Sequence, residues 1–208
     1  MKRILIYGDS NTFGTAPMAA LSDDAVMARG RRWGDVMGAH LGEKFEIVTE
    51  GLPGRTTVHD DPIEGAYRNG LRSLRAILES HKPIDLLIFC LGANDSKSRF
   101  GLSTTDIALG ITRLVKEAQG LGVASKTLVI CPPSVEEKGA LASIFEGAED
   151  RCKGLAEVMA QCVHAQDAAY FDAGSVISVD PIDGVHWNEK AHGLLGEAVA
   201  HKVQKVLE

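Results

Sequence analysis

Two features of this 208-residue chain have the residue types and spacing for nucleophilic chemistry: a serine that follows a short apolar run, and an Asp–His pair near the far end. The first lies in Lys2-Arg-Ile-Leu-Ile-Tyr-Gly8-Asp9-Ser10-Asn11-Thr12-Phe13-Gly14. In an open α/β sheet, ligands sit outside the carboxyl ends of the strands, and Ser10 falls at such an end. Gly8 allows a sharp turn there. A helix starting at Ser10 would add the positive field of its N-terminus. A serine hydroxyl is a weak nucleophile and needs a base. The second feature is Asp183-Gly184-Val185-His186, whose ionisable residues are three apart. On a helical or turn-like segment that spacing turns both side chains the same way. The carboxylate can then orient the imidazole while the other ring nitrogen faces a hydroxyl. Read alone, Gly-Asp-Ser is an ordinary turn with a capping residue, and Asp183–His186 is a surface turn.

Such chemistry also needs donors for a developing oxyanion. Glu50-Gly51-Leu52-Pro53-Gly54-Arg55-Thr56 reads as a tight turn whose amides could point into the same crevice, or as a plain strand-to-loop turn. Leu91-Gly92-Ala93-Asn94-Asp95-Ser96-Lys97 places an amide side chain, Asn94, past an apolar strand, with an Asn-Asp turn as the alternative. Only His186, of the seven histidines, has an Asp at triad-like spacing in a loop after the last strand. His40, His81, His164, His192 and His201 fall in helical patterns and are expected to face solvent.

The elements that must position these residues alternate along the chain. Near-continuous apolar runs at 3–7, 45–49, 85–91, 127–131 and 168–171 predict strands covered on both faces. Helical patterns lie near 32–41, 68–81, 104–120, 140–165 and 188–207, with a cap at Thr104-Thr105-Asp106. The alternation predicts one three-layer α/β/α domain over residues 1–208 with a five-stranded, mostly parallel sheet. Thr15 to Arg32 reads as a long loop, and Arg29, Arg31 and Arg32 as a solvated face.

Composition narrows the function classes. Hydrophobic residues make up 45% and charged residues 24%, as in a soluble globular protein. The net charge of -6 and the lack of a basic cluster argue against nucleic acid and anionic membrane as partners. No secretory leader and no membrane-length apolar run is recognisable. The four cysteines, Cys90, Cys131, Cys152 and Cys162, have no zinc-type spacing and make no disulfide framework, so a reduced, cytoplasmic setting is expected.

Taken together, these blocks resemble those of the SGNH-hydrolase, or GDSL-like, esterase family. Gly8-Asp9-Ser10, Gly54, Asn94 within Gly92-Ala93-Asn94-Asp95, and Asp183-Gly184-Val185-His186 occur in the family's order. The resemblance implies a flavodoxin-like fold with Ser10 as nucleophile, His186 as base and Asp183 as its orienter. It also implies an oxyanion hole made by the Ser10 amide, the Gly54 amide and the Asn94 side chain, with no metal or cofactor. Glu50-Gly-Leu, Arg55-Thr56-Thr57, Asn94-Asp95-Ser96-Lys97, Ile144-Phe-Glu-Gly147 and Phe171-Asp-Ala-Gly-Ser-Val-Ile177 are similar to the bacterial arylesterase and acyltransferase branch. That branch implies hydrolysis of short-chain esters, acyl transfer to alcohols and a homo-oligomer, for which the segments 15–32 and 132–145 are candidate contacts. Two departures stand out: Asn11 occupies the position where the family name expects Leu, and Gly54 a position where close arylesterases can carry Ala.

Candidate substrate contacts, chosen because they adjoin the motif residues, are Asn11, Thr12, Phe13, Arg55, Phe100, Phe145, Ile182, Val185 and Trp187, with a core or packing role as the equal alternative for each. The expected substrate is a small ester with an acetyl-like acyl group, because no long insertion supplies a lipase-type lid. Three alternatives remain: a carbohydrate acetyl esterase, a phosphate-handling α/β domain with a divalent metal on Asp9, Asp95 and Asp183, and a binding protein on an esterase scaffold.

Overall fold

A computed structural model describes all 208 residues. Five strands form one sheet: β1 (Lys2–Gly8), β2 (Phe45–Gly51), β3 (Ile84–Cys90), β4 (Ala124–Cys131) and β5 (Ala169–Asp172). Their order is β2-β1-β3-β4-β5, and every neighbouring pair is parallel. The chain runs outward from β1 to β2, then returns to place β3 on the other side of β1. That reversal opens a crevice beyond the carboxyl ends of β1 and β3, where Gly8 pairs with Cys90.

Strand alternation builds two cores. Ile4, Ile6, Leu86 and Ile88 face α2 (Trp33–Leu41) and α7 (Glu189–Leu207), meeting Trp33, Met37, Leu195 and Val199. Leu5, Tyr7, Leu87 and Phe89 face α3 (Gly70–His81), α4 (Thr104–Leu121) and α6 (Leu155–His164), meeting Leu74, Ile111 and Met159. Burial on both faces explains why the strands read as unbroken apolar runs. A third, smaller cluster joins Ala93, Val135, Leu141, Phe145, Ala148 and Val185 at the crevice. All four cysteines are free, and no helix is long and apolar enough to cross a membrane.

The helix termini show local reasons for their positions. Asn69 caps α3, and Asn188 caps α7. The cap of α4 is Ser103 in a capping box with Asp106, one residue before the expected Thr104. The segment 140–165 is not one helix: Gly147 and Gly154 adopt left-handed backbone and divide it into a turn at 139–141, the short α5 (Ala148–Arg151) and α6. The element after β1 is only the single turn α1 (Ser10–Phe13), capped by Asp9.

His192 also departs from expectation. It is fully buried, and its Nδ1 accepts the Trp33 backbone N–H at 3.1 Å. Arg32 gives α2 no side-chain cap, so the ring of His192 on α7 satisfies one of the donors at its N-terminus. Burial, followed by the charge of Arg32, lowers its pKa to about 4. Within the long loop, Arg29 and Arg31 are exposed, but Arg32 stacks over Phe13 at 5.5 Å and donates to Met27 O.

Candidate active site

Ser10 opens α1 at the carboxyl end of β1, so its N–H has no acceptor within that turn. Gly8 is required by close approach, since a Cβ there would lie 2.1 Å from Thr12 Oγ1. His186 comes from the loop between β5 and α7. Its Nε2 stands 3.1 Å from Ser10 Oγ, and its Nδ1 stands 2.6 Å from Asp183 Oδ2. All three residues are buried, with Ser10 6% and His186 5% exposed.

Asp183 is held by more than the imidazole. Its Oδ1 accepts the Val185 and His186 N–H groups at 2.9 Å each, and Oδ2 also accepts the Met18 N–H at 2.8 Å. Burial pushes its carboxyl pKa up. The hydrogen bond and charge of His186, with the amides of His186 and Met18, outweigh that and hold it below the usual carboxylate value. A carboxylate that stays ionised suits the task of orienting an imidazole.

Asn94 and Gly54 reach the same cavity. Asn94 follows β3, and its Nδ2 lies 3.4 Å from Asp9 Oδ2, leaving the second amide hydrogen for the cavity. Gly54 lies outside any helix or strand, and its N–H has no acceptor in the protein. Its φ is +74°, and a Cβ would lie 2.4 Å from Glu64 Oε2, so alanine would be strained here.

The cavity has a volume of about 310 Å³, at the small end of ligand sites. Ser10, Gly54, Asn94 and His186 share its lining. Phe13, Phe145 and Val185 also line it, as do Leu141 and Ile144 from the segment after β4. The loop after α1 adds Thr15, Met18 and Val26, along with Asp23 and Asp24.

The other expected contacts lie outside that lining. Ile182 is half exposed. Trp187 is buried and packs beside His192, with ring centroids 5.7 Å apart. Thr12 fills the space under Gly8. Arg55 is buried over the Tyr7 ring and donates to Gly8 O and Glu50 O, tying β1 to β2. Phe100 packs on His59. Asn11 bonds to the backbone on either side of His186.

Two groups of charged side chains lie around the cavity. Lys97 reaches Glu64 and Asp61, and Arg99 reaches the same pair, so a partly buried ion network backs the cavity wall. Asp9 and Asp95 are buried carboxyls behind Ser10, with pKa values raised to about 6 and about 7 respectively, mainly by burial. Asp9 accepts from the Asn11 N–H and Asp95 from the Thr57 N–H and hydroxyl. Asp9, Asp95 and Asp183 are not grouped so that they could hold a metal ion together, and each accepts from its own donors.

A parallel α/β sheet with a serine, a histidine and amide donors around one cavity defines the class of acyl hydrolases. Residues 6–194 match the model of the GDSL-like lipase/acylhydrolase family, and the chain belongs to that family. The native aryl esterase of M. smegmatis is 39% identical and superposes with a TM-score of 0.94, covering 99% of this chain and 100% of its own. Its inhibitor-bound form is 37% identical, with a TM-score of 0.93 and coverage of 99% and 100%. A carbohydrate acetylesterase from Sinorhizobium meliloti is 36% identical, with a TM-score of 0.92 and 99% coverage of both chains. No curated protein sequence matches the chain. The chain is thus a carboxylic ester hydrolase of the SGNH type.

Proposed function

We propose that the chain hydrolyses short-chain, acetyl-like esters through a Ser10–His186–Asp183 triad and an acyl-enzyme. The observation that carries this reading is the line Asp183 Oδ2–His186–Ser10 Oγ, with contacts of 2.6 and 3.1 Å, at a cavity of about 310 Å³. His186 Nε2 takes the proton as Ser10 Oγ attacks the ester carbonyl carbon. The Ser10 and Gly54 amides and the Asn94 amide receive the oxyanion. As the tetrahedral intermediate collapses, the alcohol leaves with the proton from Nε2. A water then repeats the sequence on the acyl-enzyme, releasing the acid and restoring Ser10. An alcohol in place of that water gives acyl transfer.

The apolar wall of Leu141, Ile144, Phe145 and Val185 suits a small acyl group. A second reading, removal of acetyl groups from sugars, is favoured by the similarity to the Sinorhizobium meliloti acetylesterase. The test is turnover of p-nitrophenyl acetate, p-nitrophenyl butyrate and an acetylated sugar, wild type beside Ser10→Ala, with a chelator present. Wild-type hydrolysis that prefers acetate, resists chelator and vanishes in the variant supports the proposal. Equal activity in both proteins refutes it. A much higher kcat/KM on the sugar acetate selects the second reading. A homo-oligomer, contacting through segments 15–32 and 132–145, belongs to the same proposal, and a monomer by light scattering would reject that part.

A further inference from the structure

Asn11 follows the nucleophile, yet it does not line the cavity. It is 1% exposed, and its own N–H is held by Asp9 Oδ1 at 3.0 Å. Its side chain crosses to the loop that carries His186. Nδ2 donates to Val185 O at 3.1 Å, and Oδ1 accepts the Trp187 N–H at 3.0 Å. Val185 and Trp187 are the two neighbours of His186. One amide thus grips the backbone on both sides of the base. The partners fix its orientation, because a flipped amide would set donor against donor and acceptor against acceptor.

The need for this grip follows from the geometry. Asp183 and His186 sit in one loop, cross-linked by Asp180 N–H to His186 O and by Gly184 N–H to Asp180 O. That loop sets the angle of the imidazole but not its distance from Ser10, which lies on another element. Apart from the Ser10–His186 contact itself, the two Asn11 bonds are the hydrogen bonds that join the α1 turn to this loop. We propose that Asn11 is a positioning residue for the base, holding His186 Nε2 in register with Ser10 Oγ; this rests on the reading of these two as base and nucleophile. A leucine at this position could make neither bond.

The experiment compares Asn11→Leu and Asn11→Asp with wild type and with Ser10→Ala. Asp is nearly isosteric and keeps an acceptor for Trp187 while losing the amide donor to Val185, so it remains informative if the leucine variant fails to fold. Three readouts are taken: kcat and KM on p-nitrophenyl acetate, the rate of inactivation by a p-nitrophenyl phosphonate, and the downfield proton resonance of His186 Nδ1–H. Misplacement of a reacting group by about 1 Å costs about 10²-fold. We expect kcat and the inactivation rate to fall about 10- to 100-fold together, with KM within about twofold and the downfield resonance retained. Unchanged kcat in a folded variant would overturn the proposal. So would a rise in KM at constant kcat, which would make Asn11 a substrate contact, or loss of the downfield resonance, which would make its role one of loop folding. Full activity in Ser10→Ala would instead remove the triad reading on which the proposal rests.

Discussion

Ser10 Oγ and His186 Nε2 lie 3.1 Å apart although 176 positions separate them in the chain. The parallel sheet creates this proximity: β1 ends beneath Ser10, and the loop after β5 folds back over the crevice before α7 begins. The contact joins the first and last blocks of the sequence, so the proposed chemistry requires the whole fold to be closed.

Asn94 supplies a donor whose removal should be almost purely kinetic. Its only side-chain hydrogen bond within the protein is the long 3.4 Å contact to Asp9. Asn94→Ala should lose about 10²- to 10³-fold in kcat with little change in melting temperature. Steady-state kinetics beside thermal unfolding checks this, and unchanged turnover would remove Asn94 from the mechanism.

Asp183→Asn should cost more. The carboxylate accepts two backbone N–H groups on Oδ1, and the Met18 N–H with His186 Nδ1 on Oδ2. An amide must set its NH2 against donors on one side, which favours the wrong imidazole tautomer. A loss of about 10⁴-fold in kcat is expected. A variant within tenfold of wild type would show that Asp183 does not orient the base.

The buried Asp9 carboxyl should impose a pH-dependent cost on stability. Burial raises its folded-state pKa from 3.8 to about 6. The folded state therefore holds this proton more tightly than the unfolded state, and stability falls as pH rises between these values. Asp9→Asn keeps a capping side chain but cannot ionise. Its stability relative to wild type should improve by up to about 3 kcal/mol between pH 4 and pH 7. Urea unfolding at both pH values tests this, and parallel pH profiles would contradict it.

His192 should act with the opposite sign. Its pKa is depressed to about 4, and the neutral ring accepts the Trp33 N–H. Its contribution is present above the unfolded value of about 6.5 and is lost as pH falls toward 4. His192→Leu leaves that amide without its acceptor and should cost about 1–3 kcal/mol at pH 7. The gap should narrow at pH 4.5, and a pH-independent gap in unfolding free energy would refute the capping role.

Strands were readable because burial on both faces leaves unbroken apolar runs such as Leu86 to Leu91. Ser10, Gly54 and Asn94 stood out as candidates because each lies in a short block just past a strand, and Asp183 and His186 because of their spacing in the loop between β5 and α7. The segment 140–165 misled because its apolar spacing continues through Gly147 and Gly154, whose left-handed backbone stops the helix. His192 was misplaced although a signal existed: it lies three and seven positions before Leu195 and Val199, on the buried face of α7. Sequence adjacency to the motifs does not predict which side chains line the cavity. Arg55, Thr12 and Trp187 are buried beside the site, while Leu141 and Ile144 reach the cavity from a distant segment and Met18 from the loop after α1. The Asn11 bonds could not be read from local pattern at all, because their partners lie 174 and 176 positions away.

The most direct measurement is labelling with a p-nitrophenyl phosphonate, followed by mass spectrometry of the tryptic peptides. One adduct per chain is expected, on Ser10, its formation releasing one equivalent of p-nitrophenol, with no adduct in His186→Ala over the same time. An adduct on another residue, or equal labelling without His186, would contradict it.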